Sequence, residues 1–218
     1  FKDEAGNIVG LEPSMMQAIA DEMGVKCVID DMAFDSVLPS VQSGLDDMAL
    51  AALSPTPDRK EAFTFSESYL AHGQLSLVRA EDADKFKDAS AMVAGVTMGA
   101  QKGSYQQTVA EHYYPDCTGR YMETIPNVIM DLKAGRVDVI AVDQVLGEYT
   151  NKNLGGEMKE CSYDLGDDYY VIGFAKDNTE LRDKVNDAIG KLYENGEAAK
   201  ISENWFGKDI VVFEPLED

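Results

Sequence analysis

Ala49-Leu50-Ala51-Ala52-Leu53-Ser54-Pro55-Thr56-Pro57-Asp58-Arg59-Lys60 reads as an apolar strand that two prolines bring to a stop, because a proline has no N–H for a ladder and fixes its own φ. Two hydroxyls, Ser54 and Thr56, follow the strand, and an arginine comes just after them. A guanidinium is always charged and presents a planar fork of donors that fits a carboxylate in a bidentate way. Strand ends and the loops after them are where open α/β sheets place ligands. The stretch therefore has two readings: half of a carboxylate receptor, or an exposed arginine capping a helix.

Two further corners have the same build. Thr97-Met98-Gly99-Ala100-Gln101-Lys102-Gly103-Ser104 is a short strand running through a glycine turn into a helix from Tyr105 to Tyr113. Its N-terminus offers backbone N–H groups and a positive dipole end, both suited to an anion. Val137-Asp138-Val139-Ile140-Ala141-Val142-Asp143 is a buried strand with a carboxylate at its C-terminal end. An unpaired carboxylate beside an apolar strand is costly, so Asp143 either caps the next helix or meets a cation. Beside a carboxylate receptor, such a cation site would hold the other end of an α-amino acid.

Strand and helix alternate along the rest of the chain, which predicts an α/β protein with mainly parallel sheets. Pro13 is placed at a first helical position, and Met15, Ile19 and Met23 form a core stripe ended by Gly24. An alternating strand over Lys26–Asp30 leads to Asp35, the expected N-cap of a helix carrying Val37, Leu38 and Val41, with Gly44 after it. Strands over 47–53, 97–101, 119–123, 137–142 and 170–175 and helices over 104–113 and 127–134 follow. A long helix with Leu181, Val185, Ile189 and Leu192 stops at Gly196, and a shorter one reaches Trp205. Asp209 to Phe213 is strand-like and is a candidate to cover an open sheet edge.

Composition sets bounds on function. With 218 residues, 44% of them hydrophobic, the chain is long enough for two small lobes. A net charge of −21 excludes a basic stripe that would meet phosphates, so no nucleic-acid partner is expected. It also disfavours adsorption to an anionic membrane. No transmembrane run and no signal peptide are read in the chain. Cys27, Cys117 and Cys161 are an odd count without metal-like spacing. Cys27 reads as a small core residue, and a Cys117–Cys161 bridge is left open. His72 and His112 lack a partner motif and read as surface or packing residues. No metal and no cofactor are called for.

Seven stretches, in order, carry a resemblance. Phe1-Lys2-Asp3-Glu4-Ala5-Gly6-Asn7-Ile8-Val9-Gly10 resembles an opening hairpin, and Phe34 to Gly44 a second helix. Ser54 to Lys60 is similar to a carboxylate loop, followed by Phe63-Thr64-Phe65-Ser66-Glu67-Ser68-Tyr69. Gly99 to Gln107, then Gly135-Arg136-Val137-Asp138 with Asp143, and finally Glu194 to Gly207, complete the set. Together they resemble the polar amino-acid family of bacterial extracellular solute-binding proteins, the receptors of ABC importers. The resemblance implies a type II periplasmic-binding-protein-like fold of two α/β lobes joined by two crossing segments. The crossings are expected at Gly73 to Arg79 and Asp167 to Ile172, with residues 1–78 plus 171–218 as lobe one and 79–170 as lobe two. Phe1 falls after the family's first strand, at the end of a ligand-contacting segment, so the N-terminal strand is expected to be missing from this sequence.

The resemblance also implies roles. Arg59 is expected to fork onto the α-carboxylate of a free L-amino acid, helped by the N–H and hydroxyl of Ser104. Asp143 takes the α-ammonium, shared with the Ala52 carbonyl and the Ser54 hydroxyl; family members usually have glycine at the Ala52 position. Phe34 matches an aromatic that stacks on the ligand side chain, or else is a buried core residue. Tyr105, Gln101 and Gln107 are weaker candidates for the pocket. The Gln101–Ser104 turn and the Ser54–Pro57 loop resemble members for polar or basic amino acids. The implied partner is a membrane ABC permease, the implied state a monomer, and the implied location extracellular, in the periplasm or lipid-anchored at the cell surface. Two alternatives stand beside this: a ligand-sensing module of a larger receptor, and an enzyme resembling the cyclohexadienyl dehydratases.

Overall fold

Leu11, Met15 and Ile19 line up on one buried side of helix α1 (Leu11–Met23), and Gly24 ends it in the left-handed conformation at φ 68°, its N–H on the Ala20 and Asp21 carbonyls. The chain continues through α2 (Phe34–Gln42), β1 (Ala49–Leu53), α3 (Pro57–Ala62), β2 (Phe63–Phe65) and β3 (Ser68–Arg79). After two short 3₁₀ turns come β4 (Thr97–Gln101), α4 (Tyr105–Tyr113), β5 (Thr118–Met122), α5 (Ile125–Lys133) and β6 (Val139–Asp143). The last part holds β7 (Met158–Cys161), β8 (Asp167–Ala175), α6 (Thr179–Glu194), α7 (Glu197–Phe206) and β9 (Val211–Glu214). The structure, a computed structural model, describes residues 1–147, 158–161 and 167–216; 148–157 and 162–166 of the expected lobe two lie outside the described residues.

The chain divides into two compact units. The first comprises Phe1–Met32, Ser36–Ala71 and Tyr169–Asp218, and the second Ala33–Asp35 and His72–Asp168. The backbone passes from one to the other inside β3 and again inside β8.

In the second unit β4 runs parallel to both β5 and β6, while β3 pairs antiparallel with β6 and β7. β6 is buried along its whole length and therefore reads as a continuous apolar run. Its side chains alternate: Val139 and Ala141 join Val78, Phe86, Met98 and Val109 in one cluster. Ile140 and Val142 join Leu75, Leu77, Val128, Leu132 and Met158 in the other. α4 thus covers one face and α5 the opposite one. α5 is tied down by its buried Asp131, whose carboxylate binds Arg120 Nε at 2.6 Å and Arg136 Nη2 at 2.5 Å.

In the first unit β8 pairs antiparallel with β1 and β2, and β9 with the start of β3. α6 buries Val185, Ala188, Ile189 and Leu192, and α7 buries Ala198 and Ile201. Trp205 donates from Nε1 to Ser14 Oγ at 3.0 Å, fixing α7 to α1. Among the described pairings, β4–β5 and β4–β6 are parallel and the others antiparallel, so the sheets are mixed and not mainly parallel. The cause is that β3 and β8 cross between the units and so meet their neighbours head to tail.

Other expectations are corrected. Lys26–Asp30 forms no strand: no ladder among the described residues includes it, and Val28 is 72% exposed. Alternation supplies a strand's side-chain pattern, but a strand also needs an edge to pair with. Pro13 is the third residue of α1, where a missing N–H costs nothing because the first turn has no internal acceptor. Asp35 lies inside the first turn of α2, not before it. The Cys117–Cys161 pairing that the sequence left open does not form, since all three cysteines are free thiols. The strand-like reading of Asp209–Phe213, by contrast, holds: a strand forms at residues 211–214, held by β3 and by Tyr193, whose hydroxyl donates to the Val211 carbonyl at 2.7 Å.

Two outcomes follow. Removing residues 209–218 strips the buried Val211 from β3 and should lower the unfolding free energy by about 2 kcal/mol or more in urea titration. Arg120 first, then Arg136, hold the Asp131 carboxyl below its ordinary value of 3.8. A carboxyl lowered in the folded state stabilises above its unfolded pKa, and that contribution drains away as pH falls through the lower folded value. Asp131→Asn should therefore be less stable than the parent at pH 7, with the gap narrowing below about pH 4 in denaturant melts across pH.

Candidate functional site

β1 cannot continue past Leu53 because Pro55 and Pro57 follow, and the chain turns at once into α3 (Pro57–Ala62). Pro57 opens that helix where no N–H is needed. Thr56 is its N-cap, its Oγ1 accepting the Arg59 N–H at 3.4 Å. Arg59 is half-buried and lies within the helix, so it is not an exposed cap. Its Nη1 donates to the Ser54 carbonyl at 2.9 Å, bracing the guanidinium against the strand end. Ser54 itself is 4% exposed. Ala52, just inside the strand, has φ 49°, and its N–H donates to Glu12 Oε1 at 2.6 Å. Arg59, Ser54 and Ala52 therefore share one corner of the first unit.

The second unit has two such corners. Gly103 turns with φ 74°, and Ser104 caps α4, its Oγ accepting the Gln107 N–H at 3.2 Å and donating to the Gln101 carbonyl at 2.7 Å. Gln107 reaches back to accept the Gly103 N–H at 2.8 Å, so this Ser-x-x-Gln acts as a variant capping box. Gln101 donates to the Glu123 carbonyl at 3.1 Å. Tyr105 leans on the cluster around Val78 and Phe86. Lys102 pairs with Asp35 at 2.9 Å and with Glu123 at 3.5 Å, and the Asp35 carboxylate raises its pKa. Phe34, next to Asp35, is half-buried and so is not a core phenylalanine.

Asp143 ends β6 and is 7% exposed. Its Oδ1 accepts the Leu146 N–H at 2.9 Å, capping the helical residues 144–147. In the ladder it stands opposite Gln74 of β3, and Gln74 Oε1 accepts a bond from Gln106 Nε2 at 2.8 Å. β3 thus joins the Ser104 corner to the Asp143 corner through two glutamines.

Sequence reading did not single out Glu12, Tyr69, Gln74 or Gln106. Gln74 left one trace, a polar side chain in an extended apolar stretch. Glu12 left none, because a glutamate in a first helical turn is ordinary. His112 stacks edge-on against Tyr113, a packing role. Burial pushes the Cys27 and Cys117 thiols up, and Asp21 and Asp116 add to it, so both are poor nucleophiles. Among the described residues no cluster of His, Cys, Asp or Glu has the make-up of a metal site. No helix of the described residues is long and apolar enough to cross a membrane.

Chemically, the first unit offers a braced guanidinium at a strand end. The second offers a capped helix N-terminus and a buried carboxylate. The family model described as bacterial extracellular solute-binding proteins, family 3, matches residues 1–208. The arginine-binding extracellular protein ArtP of Bacillus subtilis is 28% identical over 211 residues, spanning 93% of this chain and 80% of its own length. The amino acid ABC transporter substrate-binding protein AbpA of Streptococcus pneumoniae, solved bound to L-arginine, superposes with a TM-score of 0.87. It is 32% identical, and the match covers 96% of this chain and 89% of AbpA. The ancestral amino acid-binding protein AncCDT-1, a precursor of cyclohexadienyl dehydratase, is 26% identical at a TM-score of 0.88, over 94% and 89% of the two chains.

The Ser104 cap has its own test. Ser104→Ala should cost about 1 kcal/mol of stability, read as a shifted denaturation midpoint with an unchanged slope.

Proposed function

As the chain belongs to family 3 of the bacterial extracellular solute-binding proteins, we propose that it binds a free polar or basic L-amino acid outside the cell and delivers it to an ABC importer in the membrane. Relatives named for arginine binding support the ligand class. The observation that carries the reading is a pair of opposite charges at strand-to-helix corners, Arg59 braced by the Ser54 carbonyl and Asp143 buried at the end of β6. Arg59 takes the α-carboxylate, with Ser104 assisting. Asp143 takes the α-ammonium with Ala52 and Ser54, while Phe34, Tyr105 and Gln101 meet the side chain.

Arg59 and Asp143 belong to different units, so a ligand gripped by both binds one arrangement of the units better than others. It then shifts a hinge equilibrium toward that arrangement, and its differential affinity sets how far. The protein acts as a monomeric receptor, in the periplasm or anchored at the cell surface, and carries out no chemistry on its ligand.

A thermal-shift screen of the common amino acids, followed by calorimetry, tests this. Polar or basic amino acids should stabilise the protein most. Arg59→Ala and Asp143→Ala should each cost about 2–5 kcal/mol of binding, or at least about 25-fold in Kd. Arg59→Lys keeps the charge, loses the fork, and should still bind weakly. Affinities within about threefold of the parent would refute the assignment, and turnover of arogenate or prephenate would make the protein an enzyme instead.

A further inference from the structure

Ala52 is the one non-glycine residue with positive φ among the described residues, at 49°. For an alanine that region crowds Cβ against the carbonyl, and such residues persist only where the surroundings over-determine them. The cause here is specific. The β1–β8 register shifts between Ala49 and Leu53, and the Ala52 N–H points instead to Glu12 Oε1 at 2.6 Å. The same oxygen accepts the Tyr69 hydroxyl. Tyr69 is 2% exposed and packs on Tyr170, ring centroids 6.1 Å apart, so its hydroxyl is fixed in place. Glu12 stands in the first turn of α1, where a carboxylate is favoured by the helix dipole.

Ser54 follows Ala52 by two residues, and the Ser54 carbonyl braces Arg59. The direction in which the chain leaves β1 therefore decides where that guanidinium points. We propose that Glu12, oriented by Tyr69, is a positioning residue for ligand binding: it holds Ala52 in the left-handed conformation and so aims the Ser54–Arg59 corner. Glu12 itself need not touch the ligand. The inference rests on the amino-acid-binding reading above, which Arg59 and Asp143 carry without it.

Glycine adopts the left-handed region without a clamp, so it supplies a rescue that a merely structural glutamate would not respond to. With L-arginine as the probe in calorimetry, Glu12→Ala should weaken binding by about tenfold. Adding Ala52→Gly to that variant should recover most of the loss, and by more than the same change alters binding in the parent. A Glu12→Ala protein that binds as the parent does, or a double variant no better than the single one, would overturn the proposal. The backbone H–N–Cα–H coupling at residue 52 in the unliganded protein gives a readout that needs no ligand. It should move from the left-handed to the extended value in Glu12→Ala, and an unchanged coupling would likewise overturn the clamp. Should the parent bind no amino acid at all, the receptor reading fails, and the coupling alone decides whether Glu12 sets the corner.

Discussion

A helix that begins at the end of a strand brings backbone N–H groups that nothing inside the helix can accept, and a protein interior does not tolerate them unpaired. Among the described residues, four such corners answer with one short polar side chain each: Thr56 for α3, Ser104 for α4, Thr124 for α5 and Asp143 for residues 144–147. The candidate residues stand at these corners, each described within its own unit: Arg59 after Thr56 in the first, Ser104 and Asp143 in the second. A side chain already held in place by capping loses little freedom when it meets a ligand, and that is preorganisation in its simplest form. The bond from Arg59 to the Ser54 carbonyl does the same for the guanidinium, whose long stem would otherwise have much rotamer entropy to lose.

What keeps the second unit's two corners in register is burial on both faces of its sheet. β6 alternates its side chains between two apolar clusters, one under α4 and one under α5. A slip of one residue would exchange the clusters and move Asp143 off the strand end. The Asp131 ion pairs with Arg120 and Arg136 fasten α5 in place, and in the first unit the Glu12 carboxylate fixes the end of β1. Each carboxylate ties together elements that local sequence does not link, Asp131 joining α5 to Arg120 and Arg136 and Glu12 joining α1 to Ala52.

Strong periodic segments were legible in the sequence. Of the stripes Met15–Ile19–Met23 and Leu181–Val185–Ile189–Leu192, the residues Met15, Ile19, Val185, Ile189 and Leu192 became the buried sides of α1 and α6 while Met23 and Leu181 stay partly exposed, and Val139 to Val142 became a strand buried on both faces. Gly24, Gly103 and Gly196 marked their turns through positive φ. Lys26–Asp30 misled, because alternation describes one strand while a ladder requires two. The mixed pairing misled for a related reason: βα alternation favours parallel neighbours, but strands that pass between units reverse that direction.

By itself, the sequence determined the main apolar stripes, the extent of most helices to within a residue or two, and which charged and hydroxyl side chains stand at strand ends, since these depend on neighbours within a few positions. The tertiary structure alone decided that Glu12 would reach Ala52 forty residues away, that Gln106 would meet Gln74, and that Asp131 would draw in Arg120 and Arg136. Those contacts join side chains whose local sequence is unremarkable. A polar group finds its partner only after the apolar core has closed and fixed which elements lie side by side, and no local pattern encodes that choice.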